Sequence, residues 1–264
     1  LYPPGSIFKI VTILEAMRED PEHYREGIFD CSGVFSHESY SIRCYHGTAH
    51  GLQDMEQAFA NSCNGAFAKL GLGLNLSTMS QLAEQLLFNA DLPLPMAYSK
   101  SSYAMEEGAG DWEILQTSIG QGKTQVTPMH FAMITSAIAN GGMLMKPYLL
   151  DRVVGESGEE VKKFLPESFG SLMTAEESKE LTRMMARVVA EGTGSALRDA
   201  PYQAAGKTGS AEFEAGKETH AWFTGFAPAD NPKIVVTVVI EEGGSGGKAA
   251  APVARALFDQ YLQQ

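Results

Sequence analysis

Apolar residues recur at helical spacing from the start of the chain. Ile7, Ile10, Val11, Leu14 and Met17 fall on one stripe, predicting a helix from about Ser6 to Arg18, fed by the Pro-Gly turn before it. A second helical pattern, Leu52 to Leu72, is broken at Asn61-Ser62-Cys63-Asn64, and a third covers Thr78 to Phe88. Two stretches show no period. Residues 28–50 are rich in Ser, Gly, His and aromatics, and residues 89–127 read as loops with Gly120-Gln121-Gly122 as structural punctuation. Thr127 caps a helix with Pro128 at its first position, ended near Asn140 by Gly141-Gly142. Thr174 and Glu177 form a capping box ahead of the stripe Leu181, Met184, Met185, Val188 and Val189.

The last third changes period. Strand-like runs cover residues 205–213, 220–227 and 233–241, and the third is apolar on both faces from Ile234 to Ile240. Such a strand has to be covered on both sides. A final helix, about Pro252 to Tyr261, supplies one cover, after the flexible stretch Gly243 to Gly247. The expected architecture is α/β: an antiparallel sheet flanked by helices, plus a mainly helical lobe. An α/β domain usually has strands at both ends of its chain, yet here a helix begins at the sixth residue. The expectation is one domain over 1–264, a fragment lacking its first sheet strands.

At 264 residues the chain can bury one large core or two lobes sharing a cleft. A formal net charge of -12 repels phosphates and argues against a nucleic-acid partner or an anionic membrane surface. No run approaches the ~18 apolar residues of a membrane span, and no basic-then-apolar leader opens the chain. Three cysteines, Cys31, Cys44 and Cys63, are too few for a disulfide scaffold.

Three short motifs carry chemistry in one order: Ser6-Ile7-Phe8-Lys9, Ser62-Cys63-Asn64 and Lys207-Thr208-Gly209. On a helix, residues three apart share a face, so Lys9 can set its amine beside the Ser6 hydroxyl. A serine hydroxyl needs such a base to act as a nucleophile. Lysine serves only when desolvation or a nearby positive charge, which Lys207 can supply, lowers its pKa. Ser6 near a helix N-terminus meets backbone N–H groups suited to a developing oxyanion. Ser62 and Asn64 sit at a helix break, where short polar side chains can face a cleft. Gly209 admits a substrate backbone, and Lys207 and Thr208 can hold a carboxylate.

These motifs are those of the penicillin-binding proteins and class A β-lactamases. The longer strings Tyr2 to Lys9, Gly206 to Glu212 and Ala221 to Pro228 resemble class B penicillin-binding proteins, as do Ile119-Gly120-Gln121-Gly122 and Ile138 to Gly142. The resemblance implies a D,D-transpeptidase that cross-links peptidoglycan stem peptides through an acyl-enzyme and is blocked by β-lactams. It implies Ser6 as nucleophile, Lys9 as base, Ser62 as proton relay and Asn64 on the substrate amide. Lys207 and Thr208 would bind the terminal carboxylate, and Ser6 and Ser210 N–H groups would form the oxyanion hole. It implies no required cofactor, and a place on the extracytoplasmic face of the bacterial membrane. The N-terminal anchor, a pedestal domain and the contacts with cell-wall synthesis proteins would lie outside this chain.

Two readings of the same fold remain as alternatives, a β-lactam sensor or scaffold and a β-lactamase. A β-lactamase needs a further base, and Glu84 lies in a helical pattern that puts it on a solvated face. Cys31, Cys44, His50 and Cys63 suit a tetrahedral structural zinc, a Cys31–Cys44 disulfide fits an exported protein, and free thiols are the third option. Glu106, Glu107 and Asp111 form a solvated acidic loop, with a place at the cleft rim as the lesser reading, and Trp222 is core or cleft wall.

Overall fold

The computed structural model describes residues 1–263. Its sheet has three antiparallel strands, Ile234–Ile240, His220–Ala227 and Ala205–Ala211, in that spatial order. Chain neighbours are therefore sheet neighbours, as the turn-separated runs predict; the central strand has the expected bounds, and the outer two are each two residues shorter in all. All eight residues of the central strand are buried. Its alternate residues serve two cores. Ala221, Phe223 and Ala227 pack with Ala254 and Phe258 of the C-terminal helix Ala250–Leu262, while Trp222 and Phe226 join the larger core. Strand Ile234–Ile240 divides the same way, with Val236 in the smaller core and Val235 and Val239 against the larger one. Helices Pro128–Ala139 and Ala250–Leu262 both pack on it. It is covered on both faces yet mostly half-buried, because it is an edge strand.

The first helix starts as a 3-10 turn, Gly5–Phe8, and continues as an α-helix, Lys9–Glu19. The expected stripe understates its burial: every residue from Ile7 to Met17 is buried. The helix runs between the sheet and a lobe of short helices, Met55–Ala60, Asn64–Gly73, Leu76–Gln85 and Asp111–Ser118. Polar Thr12 and Glu15 are enclosed with it, and the Thr12 hydroxyl donates to the Ser118 carbonyl oxygen at 2.9 Å. Predicted caps are in place. Thr127 Oγ1 accepts from His130 N–H at 3.1 Å, and Thr174 and Glu177 satisfy each other's backbone N–H groups.

The aperiodic stretches contain more structure than their pattern shows. Residues 28–50 hold the hairpin Val34–His37 with Tyr40–Arg43, and Phe29–Cys31 pairs with Gly51–Gln53. Strands of three or four residues are too short to display alternation. In 89–127 the helix Asp111–Ser118 has few apolar residues and no side-chain cap, so no stripe or cap announces it.

Phe258 is fully buried, with the Phe223 and Tyr202 rings at 6.4 and 6.2 Å between centroids. Phe258→Ala should lower unfolding free energy by about 3–5 kcal/mol in equilibrium denaturation. A loss under about 1 kcal/mol would mean the helix is not docked on the sheet as described.

Candidate active site

Three elements converge on one hydroxyl. Lys9, one turn beyond Ser6 on the same helical face, donates from Nζ to Ser6 Oγ at 2.9 Å. The same amine reaches the Ser62 carbonyl oxygen at 2.8 Å, Ser62 Oγ at 3.3 Å and Asn64 Oδ1 at 2.7 Å. From the sheet edge, Lys207 Nζ donates to Ser62 Oγ at 2.8 Å and to the Thr208 carbonyl oxygen at 3.1 Å. Ser62 can sit between the two amines because the helix break turns its backbone to φ 57°, a left-handed conformation rare for serine.

Both lysines are fully buried, Lys9 over the Phe67 ring and Lys207 over Phe59, each at 5.5 Å from the centroid. Burial lowers the Lys9 pKa to about 7, against the opposing pull of the nearby Cys63 and Cys44 thiols. Lys207 is held well below the usual lysine range, first by burial and then by the charge of Lys9. Of the two causes expected from the sequence, desolvation is the one that acts on Lys9. A neutral Lys9 amine in contact with the Ser6 hydroxyl can take its proton.

The backbones around Ser6 are pressed together. Gly5 has φ +55°, and a Cβ there would stand 2.8 Å from the Ser210 carbonyl oxygen. A Cβ on Gly209 would lie 3.2 Å from Ile7 N. Ser6 lies in the first turn of its helix, where backbone N–H groups have no intrahelical acceptor, and it faces the strand carrying Ser210. The Thr208 hydroxyl meets that of Thr193 at 2.5 Å, and Ser210 Oγ accepts from Gly246 N–H at 3.4 Å.

Ser6, Ser62, Asn64, Thr208, Gly209 and Ser210 line a cleft of about 1030 Å³. Asn64, expected on a substrate amide, is engaged at both ends here, since its Nδ2 donates to the Arg43 carbonyl oxygen at 2.8 Å. Thr193, Gln121 and Trp112 also line the cleft and were not predicted. Thr193 had a faint signal in Gly192-Thr193-Gly194 after a helix. The turn docks so closely that a Cβ on Gly192 would lie 2.1 Å from the Ala60 carbonyl oxygen. Asp111 opens a helix rather than sitting in a loop, and its carboxylate meets His37 Nε2 at 2.8 Å. With the Tyr40–Trp112 ring pair, 5.4 Å between centroids, this ties the 34–43 hairpin to the cleft wall. Glu84 is exposed on its helix and does not line the cleft. Trp222 is core, donating from Nε1 to the Pro3 carbonyl oxygen at 3.2 Å.

Behind Ser62-Cys63-Asn64 lie three free thiols, with no Cys31–Cys44 disulfide. Sγ of Cys44 is 3.6 Å from Cys31 and 3.7 Å from Cys63, and His50 Nδ1 is 3.3 Å from Cys31. All four donor atoms lie within 4.8 Å of one another. The hydrogen bond from Cys63 brings the Cys44 thiol down to about 4 against its burial, helped by Gly65 and Asn64 N–H groups. Cys63 moves up in exchange, through the same hydrogen bond and burial. The nest favours a thiolate.

A family model described as the penicillin binding protein transpeptidase domain matches residues 1–259. The chain is 32% identical over 274 residues to stage V sporulation protein D of Bacillus subtilis, covering 100% of this chain and 42% of that protein. To the peptidoglycan D,D-transpeptidase PbpA of Mycolicibacterium smegmatis it is 29% identical over 279 residues, covering 100% and 55%. The D,D-transpeptidase domain of a peptidoglycan glycosyltransferase from Eggerthella lenta superposes with TM-score 0.90 at 29% identity, covering 100% of this chain and 66% of that one. The ceftriaxone acyl-enzyme complex of M. tuberculosis penicillin-binding protein A gives TM-score 0.87 at 28% identity, covering 99% and 61%. The chain spans about half the length of the curated relatives it matches.

The lysine network makes a direct prediction. In 13C-detected titration of labelled lysine side chains, Lys9 should change charge near pH 7, three units or so below exposed lysines. A Lys9 resonance titrating with the surface lysines would contradict the burial described here.

Proposed function

The chain belongs to the penicillin-binding protein transpeptidase family, and from that premise we propose that it is a serine D,D-transpeptidase acting on peptidoglycan stem peptides. The observation that carries this is the fully buried Lys9 amine, 2.9 Å from Ser6 Oγ and lowered to about pKa 7. Ser6 Oγ attacks the carbonyl between the two terminal D-alanines as Lys9 takes its proton. Ser6 and Ser210 N–H groups hold the oxyanion. The bond to the last D-alanine breaks, and its nitrogen takes a proton through Ser62, which contacts both lysines. The amine of a second stem then attacks the Ser6 ester and restores the serine. Thr208 holds the substrate's terminal carboxylate at the cleft wall with the Lys207 amine buried behind it on Ser62, Gly209 admits its backbone, and Asn64 keeps Lys9 and the 34–43 hairpin in register. β-Lactams acylate the same serine. The work is done on the extracytoplasmic face of the cell membrane, alongside other cell-wall synthesis proteins. No helix among the described residues is long and apolar enough to cross a membrane.

The reaction as written needs no cofactor, but the thiol nest fits a structural zinc held by Cys31, Cys44, His50 and Cys63. Tetrahedral zinc with Zn–S near 2.3 Å sets sulfurs roughly 3.8 Å apart, close to the 3.6 and 3.7 Å found. The ion would pin residues 28–50 to the Ser62 turn, outside the proton path. Purified protein should carry about one equivalent of zinc by mass spectrometry of the metal, and chelation should lower Tm. Metal-free protein with all three thiols titratable would overturn this.

Transfer is tested with a stem-peptide mimic ending in D-Ala-D-Ala and a D-amino acid acceptor. Ser6→Ala should abolish D-alanine release and exchange, and Lys9→Ala should slow them by about 10²–10⁴-fold. The acylation rate should rise with pH through about 7, because Lys9 is a base only once deprotonated. Exchange that survives Ser6→Ala would refute the assignment.

A further inference from the structure

We propose that Gln121 is a positioning residue for acyl transfer, its side-chain amide holding the end of the Lys-Thr-Gly strand so that the Ser210 N–H stays aimed at the carbonyl under attack. The proposal rests on the reading of Ser6 as nucleophile. Gly120 and Gly122, with φ +79° and +80°, form a turn that sets the Gln121 side chain into the cleft. Gly120 offers its carbonyl oxygen to Gly5 N–H at 2.8 Å, immediately before Ser6. The contact leaves no room for a side chain, since a Cβ on Gly120 would lie 1.9 Å from the Gly5 carbonyl oxygen. The Gln121 N–H donates to the Gln116 carbonyl oxygen at 2.9 Å, fixing the turn to helix Asp111–Ser118.

The amide of Gln121 then does what a neighbouring strand would do. Its orientation follows from its partners: Nε2 donates to the Glu212 carbonyl oxygen and Oε1 accepts from Glu212 N–H, both at 3.1 Å. Pairing with the central strand ends at Ala211 opposite His220, one residue earlier. The strand is a sheet edge with no partner strand on its other side among the described residues. Ser210 is also packed by the Gly5 turn and bonded through its hydroxyl to Gly246 N–H, but at Glu212 the Gln121 amide supplies the backbone hydrogen bonds that a partner strand would. One turn therefore ties down both oxyanion donors, Ser6 through Gly5 and Ser210 through Glu212. Donors act strongly when they need no reorganisation during reaction.

Gln121→Ala removes the amide, and Gln121→Met removes it while keeping the side chain's bulk. Both are read on the full chain with benzylpenicillin, separating the acylation rate constant from the non-covalent Kd, and by the infrared band of the acyl-enzyme ester carbonyl. Loss of a whole oxyanion donor costs about 10²–10³-fold, so a loosened one should lower the acylation constant by roughly tenfold or more in both variants, with Kd changed by less than about twofold. The ester band should move to higher wavenumber as the carbonyl is less polarised. An unchanged band and acylation constant, a loss confined to Kd or Tm, or wild-type behaviour of Gln121→Met would overturn the proposal. Failure of the unsubstituted chain to acylate at Ser6 would instead refute the nucleophile assignment, and the proposal with it.

Discussion

The structure turns on enclosing two lysine amines around one serine hydroxyl. Removing an ammonium from water is costly, and unpaired buried charge is rarely tolerated. Here the cost is met by hydrogen bonds from Lys9 to Ser6, Ser62 and Asn64, by those from Lys207 to Ser62 and Thr208, and by the faces of Phe67 and Phe59. The remainder appears as depressed pKa values, which leave the Lys9 amine able to take up a proton near neutral pH. Stability and reactivity are therefore set by the same burial. The first helix has to be sheathed on all sides, the helix break has to hold Ser62 in an unusual backbone conformation, and the edge strand has to deliver Lys207 to the same point.

Close backbone approach is the second constraint. A methyl group on Gly5 would strike the Ser210 backbone and one on Gly120 the Gly5 backbone, so the nucleophile turn lies in direct backbone contact with the 120–122 turn and with the third-motif strand, and Gly209 leaves only tight room beside Ile7. This leaves little freedom in the spacing between Ser6 and Ser210.

What the sequence revealed was local. The alternating and doubly apolar runs specified the sheet order, and Thr127, Thr174 and Glu177 marked helix starts through caps built within four residues. The chemical motifs were legible because residue type and spacing carry their roles on a helix and a strand. The hairpin 34–43 and helix Asp111–Ser118 were not, because their few apolar residues find partners only across the chain, as Tyr40 does with Trp112. Thr193 and Gln121 were missed for the same reason: each becomes part of the site only once a glycine turn docks on another element. Burial of Lys9 on every side was also invisible, since the stripe on its helix accounts for only one of the two layers that cover it.

The central claim is that Ser6, activated by a desolvated Lys9, forms a lasting acyl-enzyme. Intact-mass spectrometry after benzylpenicillin addition, followed over hours and mapped by digestion, tests it most directly. The account predicts one adduct per chain on the peptide containing Ser6, persisting through the time course. An adduct on another residue, one that clears within minutes, or none at all would contradict it.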